Sequence, residues 1–164
     1  MNKLLSVLLV LFFACAATAA EAVSCGVTAT SVAFGNYVSP GGAVVDSTGT
    51  VSVTCTPDRV LLVCSASYTI ALSAGNSVLG FAPRRMSGSG FTLDYNLYTN
   101  GARTTVWGDG SGVTSTVPET ITSSILGLIC LPGIKNSTVF GRVPANQNVG
   151  VATYSDSIVV TVTF

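Results

Sequence analysis

The chain has 164 residues, only 9% of them are charged, and seven basic residues balance seven acidic ones. Because the basic residues are scattered, the sequence lacks the basic patch that would bind nucleic acid or another anionic polymer. It also contains no histidine, which excludes the usual Ser-His and Cys-His catalytic pairs.

The first twenty residues have the organisation of a secretory signal peptide. Lys3 precedes an apolar run over residues 4–17, and small residues follow at positions 18–20. The apolar run is shorter than the ~20 residues that a membrane-spanning helix needs. We therefore predict a signal peptide over residues 1–20 and one domain over residues 21–164. After cleavage this domain would have no membrane anchor, and it would pass through the periplasm to the cell surface or the medium.

The predicted domain alternates apolar with small polar residues in short segments, separated by Gly, Pro, Asn or Asp, which is typical of strands joined by turns. In chain order, the residues that alternate along one face of each predicted strand are Val27, Ala29, Val32 and Phe34; Val51, Val53 and Cys55; Tyr68, Ile70 and Leu72; Phe91, Leu93, Tyr95 and Leu97; Val139, Gly141 and Val143; and Ile158, Val160, Val162 and Phe164. The first series slips in phase after Ala29, which predicts a bulge or a change of partner strand. Residues 117–135 fit a buried strand or a short helix, and we favour strand. Six or seven strands in one domain predict an all-β, immunoglobulin-like antiparallel β-sandwich.

The cysteines of the predicted domain indicate disulfide bonds. Cys15 lies in the signal peptide, and an even number remains for the exported domain: Cys25, Cys55, Cys64 and Cys130. Zinc is the competing interpretation, but there is no C-x-x-C pair and no histidine. Three connectivities are possible. We favour Cys25 with Cys55 and Cys64 with Cys130, because Cys25 begins the first predicted strand and Cys55 ends the second, as adjacent antiparallel strands would place them.

No motif predicts a catalytic, cofactor-binding or metal site. A glycosidase needs only two carboxylates, but the six candidates each lie in or beside turn-like sequence: Asp46, Asp58, Asp94, Asp109, Glu119 and Asp156. Residues 108–112 lack the lysine of a phosphate loop and the acidic periodicity of a calcium loop. Trp107 and Tyr98 suit a sugar-stacking platform, but we favour core packing for them. We therefore predict a protein that is not an enzyme and needs no cofactor.

Several motifs resemble, in order, those of the spore coat protein U domain family. The resemblance begins with CGV at residues 25–27, VAFGNY at residues 32–37 and GTVSVTC at residues 49–55. It continues through residues 85–86, 93–99, 105–110, 141–147 and 154–162, so it covers nearly the whole predicted domain. Residues 57–64 and 125–133 depart from it, with two additional cysteines and more apolar side chains.

That family includes coat proteins of dormant cells and subunits of archaic, Csu-type chaperone-usher pili, whose immunoglobulin-like sandwiches lack their final strand. The resemblance implies that this chain, which stops at Phe164 directly after an apolar strand, is also one strand short. By donor-strand complementation a periplasmic pilus chaperone, and then a neighbouring pilus subunit delivered at an outer-membrane usher, would supply that strand. We expect apolar residues of the first and last predicted strands to line the donor-strand groove, namely Val27, Ala29, Val32, Phe34, Ile158, Val160, Val162 and Phe164.

The short N-terminal segment refines the predicted role. Only residues 21–24 precede Cys25 in the predicted mature chain, too few for a donor strand at ~3.3 Å per residue. We therefore predict a tip or minor subunit of a secreted surface polymer, with a role in adhesion or biofilm formation. Two alternatives stay open. One is a spore or cell coat protein that folds without a partner strand, and the other is a carbohydrate-binding tip adhesin that uses residues such as Leu79, Phe81 and Trp107.

Overall fold

A computed structural model describes residues 23–57, 65–122, 124–125 and 129–164. The predicted signal peptide, Asp58 and Cys64 lie outside the described residues. No helix in the described ranges is long and apolar enough to cross a membrane. The strands are β1 (Val23–Ala29), β2 (Val45–Pro57), β3 (Ser65–Leu72), β4 (Arg84–Gly88), β5 (Phe91–Tyr98), β6 (Val117–Thr122), β7 (Ser124–Ile125), β8 (Ile129–Cys130), β9 (Gly133–Val143) and β10 (Val160–Thr163).

Two larger antiparallel sheets enclose one core. The first has the order β1-β2-β9-β5-β4 and the second β10-β3-β6, while β7 and β8 form a separate two-stranded sheet. Alternate residues of both larger sheets are buried, as in Val51 and Val53 of β2 and in Ile70 and Leu72 of β3. The predicted all-β antiparallel sandwich is therefore confirmed, and residues 117–135 contribute strands, as favoured above.

One residue of the alternating series over residues 91–97 lies outside the core. Phe91 is 49% exposed, against 4% for Leu93. The reason is its position at the hairpin between β4 and β5, where its ring packs against Gly150 instead of the core. Leu93, Tyr95 and Leu97 of the same series are buried in the core, and the polar Asn96 between them is buried as well.

The predicted change of partner after Ala29 corresponds to a crossing of the chain over the core. The last backbone bond to β2 runs from Thr30 N to Thr50 O, at 2.9 Å. The chain then leaves the sheet, and the side chains of Val32 and Phe34 lie so close to Gly141 of β9 that a Cβ there would overlap them. Glycine at position 141 thus makes room for the crossing segment.

A disulfide joins β1 to β2. Cys25 and Cys55 are directly opposite in the ladder, and their sulfur atoms are bonded at 2.08 Å, as predicted. Cys130 belongs to β8, but its predicted partner Cys64 lies outside the described residues. The pairing of Cys64 with Cys130 therefore stays a prediction.

Candidate functional site

Two extended segments flank an apolar cleft in the sandwich. We call residues 29–39 the N-terminal wall and residues 149–160 the C-terminal wall. One part of the cleft, with a volume of about 430 Å³, lies between residues 29–34 and 154–160. The other part, of about 710 Å³, lies between residues 32–39 and 149–154. The two walls therefore run antiparallel along one continuous space.

The floor of the cleft is the hydrophobic core itself. The floor residues come from both larger sheets: Val51, Leu72, Met86, Leu93, Tyr95, Leu97, Val139 and Val143. Protein interiors contain few voids larger than a water molecule. The smaller part of the cleft alone, at about 430 Å³, is many times larger than one water molecule. The floor side chains are at most 8% exposed, but the space between the two walls is not filled by side chains of the described residues.

Beyond Thr30, the backbone of the N-terminal wall is unpaired. Within the described chain, residues 31–38 take part in no backbone–backbone hydrogen bond. The Ser47 hydroxyl, which donates to Ala33 O at 2.7 Å, holds this wall from the side of β2. An extended segment with free N–H and C=O groups is a template for a further strand.

The backbone–backbone hydrogen bonds of the C-terminal wall lie on the side away from the cleft. Ser155 exchanges two backbone bonds with Ser87 of β4, at 2.9 and 3.1 Å, and Val159 O accepts from Ser73 N at 2.9 Å. Farther along, β10 pairs with β3 and is the edge strand of its sheet. The opposite edge of this wall faces the cleft and has no backbone partner in the ranges that the structure describes.

Side chains of the C-terminal wall alternate between exposed and half-buried, as they do in an edge strand. Val151 and Val159 point outward and are 105% and 64% exposed. The even-numbered residues Tyr154, Ile158 and Val160 point the other way, line the cleft and are only half-buried. These inward residues remain half-buried because nothing in the described chain covers the cleft.

Five of the eight residues predicted for the donor-strand groove line this cleft. They are Ala29, Val32, Phe34, Ile158 and Val160. The other three do not line it. Val27 stands opposite Val53 in the ladder, but 40% of its surface is exposed against 0% for Val53, and Val162 packs beside the core. Phe164 is 66% exposed and contacts the Tyr68 ring at a centroid distance of 5.6 Å.

Sequence reasoning missed the role of Asp156, which it assigned to a turn or the surface. The carboxylate lines the cleft and accepts a hydrogen bond from the Tyr95 hydroxyl at 2.7 Å and one from Asn76 N at 2.9 Å. Burial, together with the bond to Asp156, raises the pKa of Tyr95 above its ordinary value. A Cβ on Gly75, whose φ is +69°, would overlap the carboxylate. Asp156 thus ties the C-terminal wall to β5 and to the turn after β3.

Arg84 also has a structural role, of which the sequence carries no signal. Its side chain is fully buried and donates to Ser73 O at 2.8 and 3.0 Å, to Trp107 O at 2.6 Å and to Asn96 Oδ1 at 2.8 Å. Burial lowers the pKa of Arg84 to about 10, so it is charged at neutral pH. Arg85, in contrast, forms a partly exposed ion pair with Asp94.

The aromatic residues considered for sugar stacking do not form a platform. Trp107 is fully buried and donates from Nε1 to Ile70 O at 3.0 Å, which confirms its predicted place in the core. Phe81 lies under the Arg84 guanidinium at 5.0 Å. Leu79 is 51% exposed. Of the three residues named for an adhesin surface, Trp107 is therefore unavailable.

The acidic residues that the structure describes have structural partners. Asp46 accepts from Arg142 at 2.7 Å, and this bond is the main cause that lowers the pKa of Asp46. Glu119 pairs with Lys135 at 3.3 Å, and Asp109 accepts from Ser111 within its own turn. Among the described residues, no group of three or more His, Cys, Asp or Glu side chains could hold a metal ion.

The fold and cleft define an antiparallel β-sandwich whose core is open along one side. Residues 11–161 match the model of the Spore Coat Protein U domain, and the chain belongs to that family. It is similar to Protein U of Myxococcus xanthus, with 34% identity over 128 residues that cover 75% of this chain and 63% of that protein. The chain thus spans less than two thirds of that relative.

A solved structure has a similar fold. It is the complex of chaperone CsuC with the tip adhesion subunit CsuE, a pre-assembly complex from the archaic chaperone-usher Csu pili of Acinetobacter baumannii. The TM-score is 0.57 at 20% identity, and the match covers 87% of this chain and 40% of that chain. At this identity the similarity concerns the fold.

Proposed function

We propose that this protein is a structural subunit of a secreted surface polymer, an archaic chaperone-usher pilus, and that the cleft accepts a β-strand from another molecule. The observation that carries the proposal is the pair of unpaired, antiparallel backbone edges on either side of an open core. A β-strand is the occupant that would satisfy both edges and cover the floor with alternate side chains. A small molecule would leave the backbone groups unpaired.

The strand would come first from a periplasmic pilus chaperone and then, at an outer-membrane usher, from a neighbouring subunit. The similar fold in a chaperone–subunit complex supports this route. Burial of four or five donor side chains at ~1.5–3 kcal/mol each would contribute on the order of 10 kcal/mol before ordering costs. That is comparable with the total stability of a typical domain. The chain without a donor would therefore be marginally stable.

The finer part of the proposal concerns export and position. Removal of residues 1–20 by signal peptidase would release the domain to the periplasm, as the apolar run and its small-residue end indicate. A tip or minor position, with a role in adhesion or biofilm formation, is supported by the similarity to a subunit described as a tip adhesion subunit. The function is structural and not enzymatic, in keeping with acidic residues that are engaged in ion pairs and turns.

Co-expression tests the proposal. We would express the exported chain with and without the chaperone of a Csu-type pilus, purify the product and measure its thermal unfolding. We expect poor yield alone, a stable complex with the chaperone, and a rise in Tm on the order of 10 °C. A monomer that unfolds cooperatively alone and gains nothing from the chaperone would favour the self-sufficient coat protein.

Two neighbouring substitutions localise the effect to the cleft. Ile158 lines the cleft, whereas Val159 points outward and is 64% exposed. Ile158→Ser should weaken the complex about tenfold or more, because a buried contact with the donor is lost, and Val159→Ser should leave it nearly unchanged. Equal losses from the two variants would count against strand insertion at this site.

A further inference from the structure

At one end of the cleft, residues 37–42 are joined to residues 146–149 by three hydrogen bonds, which we call the clasp. Asn146 N donates to Gly42 O at 2.9 Å, as between neighbouring strands. Val149 N donates to the Ser39 hydroxyl at 2.9 Å, and Gln147 N donates to the Tyr37 hydroxyl at 2.7 Å. From the clasp toward Ala29 and Val160 the walls are separated by the cleft.

The clasp leaves no room for a strand. The serine side chain is short, so a bond from Val149 N to Ser39 Oγ brings the two backbones to about one interstrand spacing, ~4.8 Å. An inserted strand needs two such spacings. Gly42 keeps this end tight, because a Cβ there would overlap Val38 O and approach the Tyr37 ring.

We propose that the clasp is a stop that fixes how far a donor strand enters and therefore its register; this inference rests on the proposed function. The N-terminal wall from Ala29 to the clasp spans about ten residues, or ~33 Å. A matching donor has about ten residues, of which every second side chain faces the floor. A one-residue slip would turn the apolar side chains outward, so a fixed end point determines which donor sequences fit.

The hydroxyls of Tyr37 and Ser39 specify the stop because they occupy backbone N–H groups that a longer donor would otherwise use. Gln147 and Val149 each have their N–H bonded to a hydroxyl and not to backbone. Phenylalanine at position 37 and alanine at position 39 keep most of each side chain but free both N–H groups. Ser47 offers a matched control, since its hydroxyl bonds the same wall at Ala33 O, away from the clasp.

The test is a length series of synthetic peptides of alternating valine and threonine, with 6, 8, 10, 12 or 14 residues and a terminal lysine pair for solubility. Binding to the exported chain is measured by calorimetry. In the unaltered protein, each added residue pair should tighten Kd about tenfold up to ten residues, and by less than about twofold beyond that length. In the Tyr37→Phe/Ser39→Ala variant the plateau should move to 12 or more residues, and with Ser47→Ala it should stay at ten.

Hydrogen exchange of two amides reports the same event without relying on variant stability. With the 14-residue peptide bound to the unaltered protein, protection of the Gln147 and Val149 amides should not change. Affinity that continues to rise beyond ten residues in the unaltered protein, or a plateau that the double variant does not move, overturns the stop. If no peptide of any length binds, both the proposed function and the stop are wrong.

Discussion

Replacement of Arg84 by lysine tests whether directional bonds of the guanidinium hold this part of the sandwich together. Lysine keeps the positive charge, so the burial cost of the charge is largely retained. It cannot reproduce the fork that reaches Ser73 O, Trp107 O and Asn96 Oδ1 together. Asn96 Oδ1 would keep its bond from Leu97 N. The change therefore isolates the lost bonds to the two carbonyls.

The magnitude follows from those bonds. An ammonium group can serve one of the two buried carbonyls well, and each lost charge-assisted bond costs ~1.5–3 kcal/mol. Desolvation of the second carbonyl adds ~1–3 kcal/mol if it is left unpaired. We expect Arg84→Lys to lower the free energy of unfolding by about 3–5 kcal/mol, a large part of the stability of a domain.

The assay is urea unfolding of the chain in complex with its strand donor, compared with the same complex of Arg85→Lys. Arg85 lies next in sequence, but its ion pair with Asp94 is about one third exposed on each side. Exposed pairs contribute ~0–1 kcal/mol, so this control should change little. The reasoning about Arg84 is refuted if the two variants differ by less than ~1 kcal/mol.

Three further predictions concern glycine, tyrosine and cysteine. Gly75→Ala should lower the free energy of unfolding in urea by ~1–3 kcal/mol more than Gly80→Ala does. Both glycines have positive φ, but only Gly75 lies against a carboxylate, that of Asp156. Equal losses of stability would rule out that contact as the cause. The folded-state pKa of Tyr95 is raised. The contribution of Tyr95 to the free energy of unfolding is therefore complete below pH 10 and decreases above it, by up to ~1.4 kcal/mol per pH unit. The Tyr95→Phe variant should lose this component of the alkaline slope above about pH 10, and an unchanged slope there would contradict the assignment. Replacement of both Cys25 and Cys55 by serine should cost about 3–4 kcal/mol for a loop of 30 residues, and a cost under ~1 kcal/mol would show that the bridge does not restrict the unfolded chain.

The strands could be predicted from the sequence because each has one buried face, so apolar residues recur at every second position. Val51 and Val53 alternate with hydroxyl residues, and their burial follows from that pattern alone. Phe91 has the same pattern but lies at a hairpin, where the end of the strand decides its exposure. Arg84 could not be predicted, because its buried partners come from three other segments of the chain.

The cleft was predictable in part for the same reason. The period of two in residues 158–160 identifies an inward face, and the family resemblance supplies the expectation that this face lacks a neighbour. The clasp could not be found this way. Tyr37 and Gln147 are 110 residues apart, as are Ser39 and Val149, and a hydroxyl that bonds a backbone N–H leaves no periodic signal in either segment.

An apolar cleft of this size leaves inward side chains of its walls, such as Ile158 and Val160, half-exposed to water and should tend to collapse, so the polar bonds of its walls have a physical role. Hydrophobic burial is non-directional and would be satisfied by any closure of the two walls over the floor. Directional bonds oppose that closure: Ser155 is paired to Ser87 on the far side of the C-terminal wall, Asp156 ties this wall to Tyr95 of the floor, and Ser47 holds the N-terminal wall from outside. Each contributes only ~1 kcal/mol, but each would have to break before the walls could meet. The cleft thus stays open because its walls are anchored outward, and a strand can enter without first unfolding them.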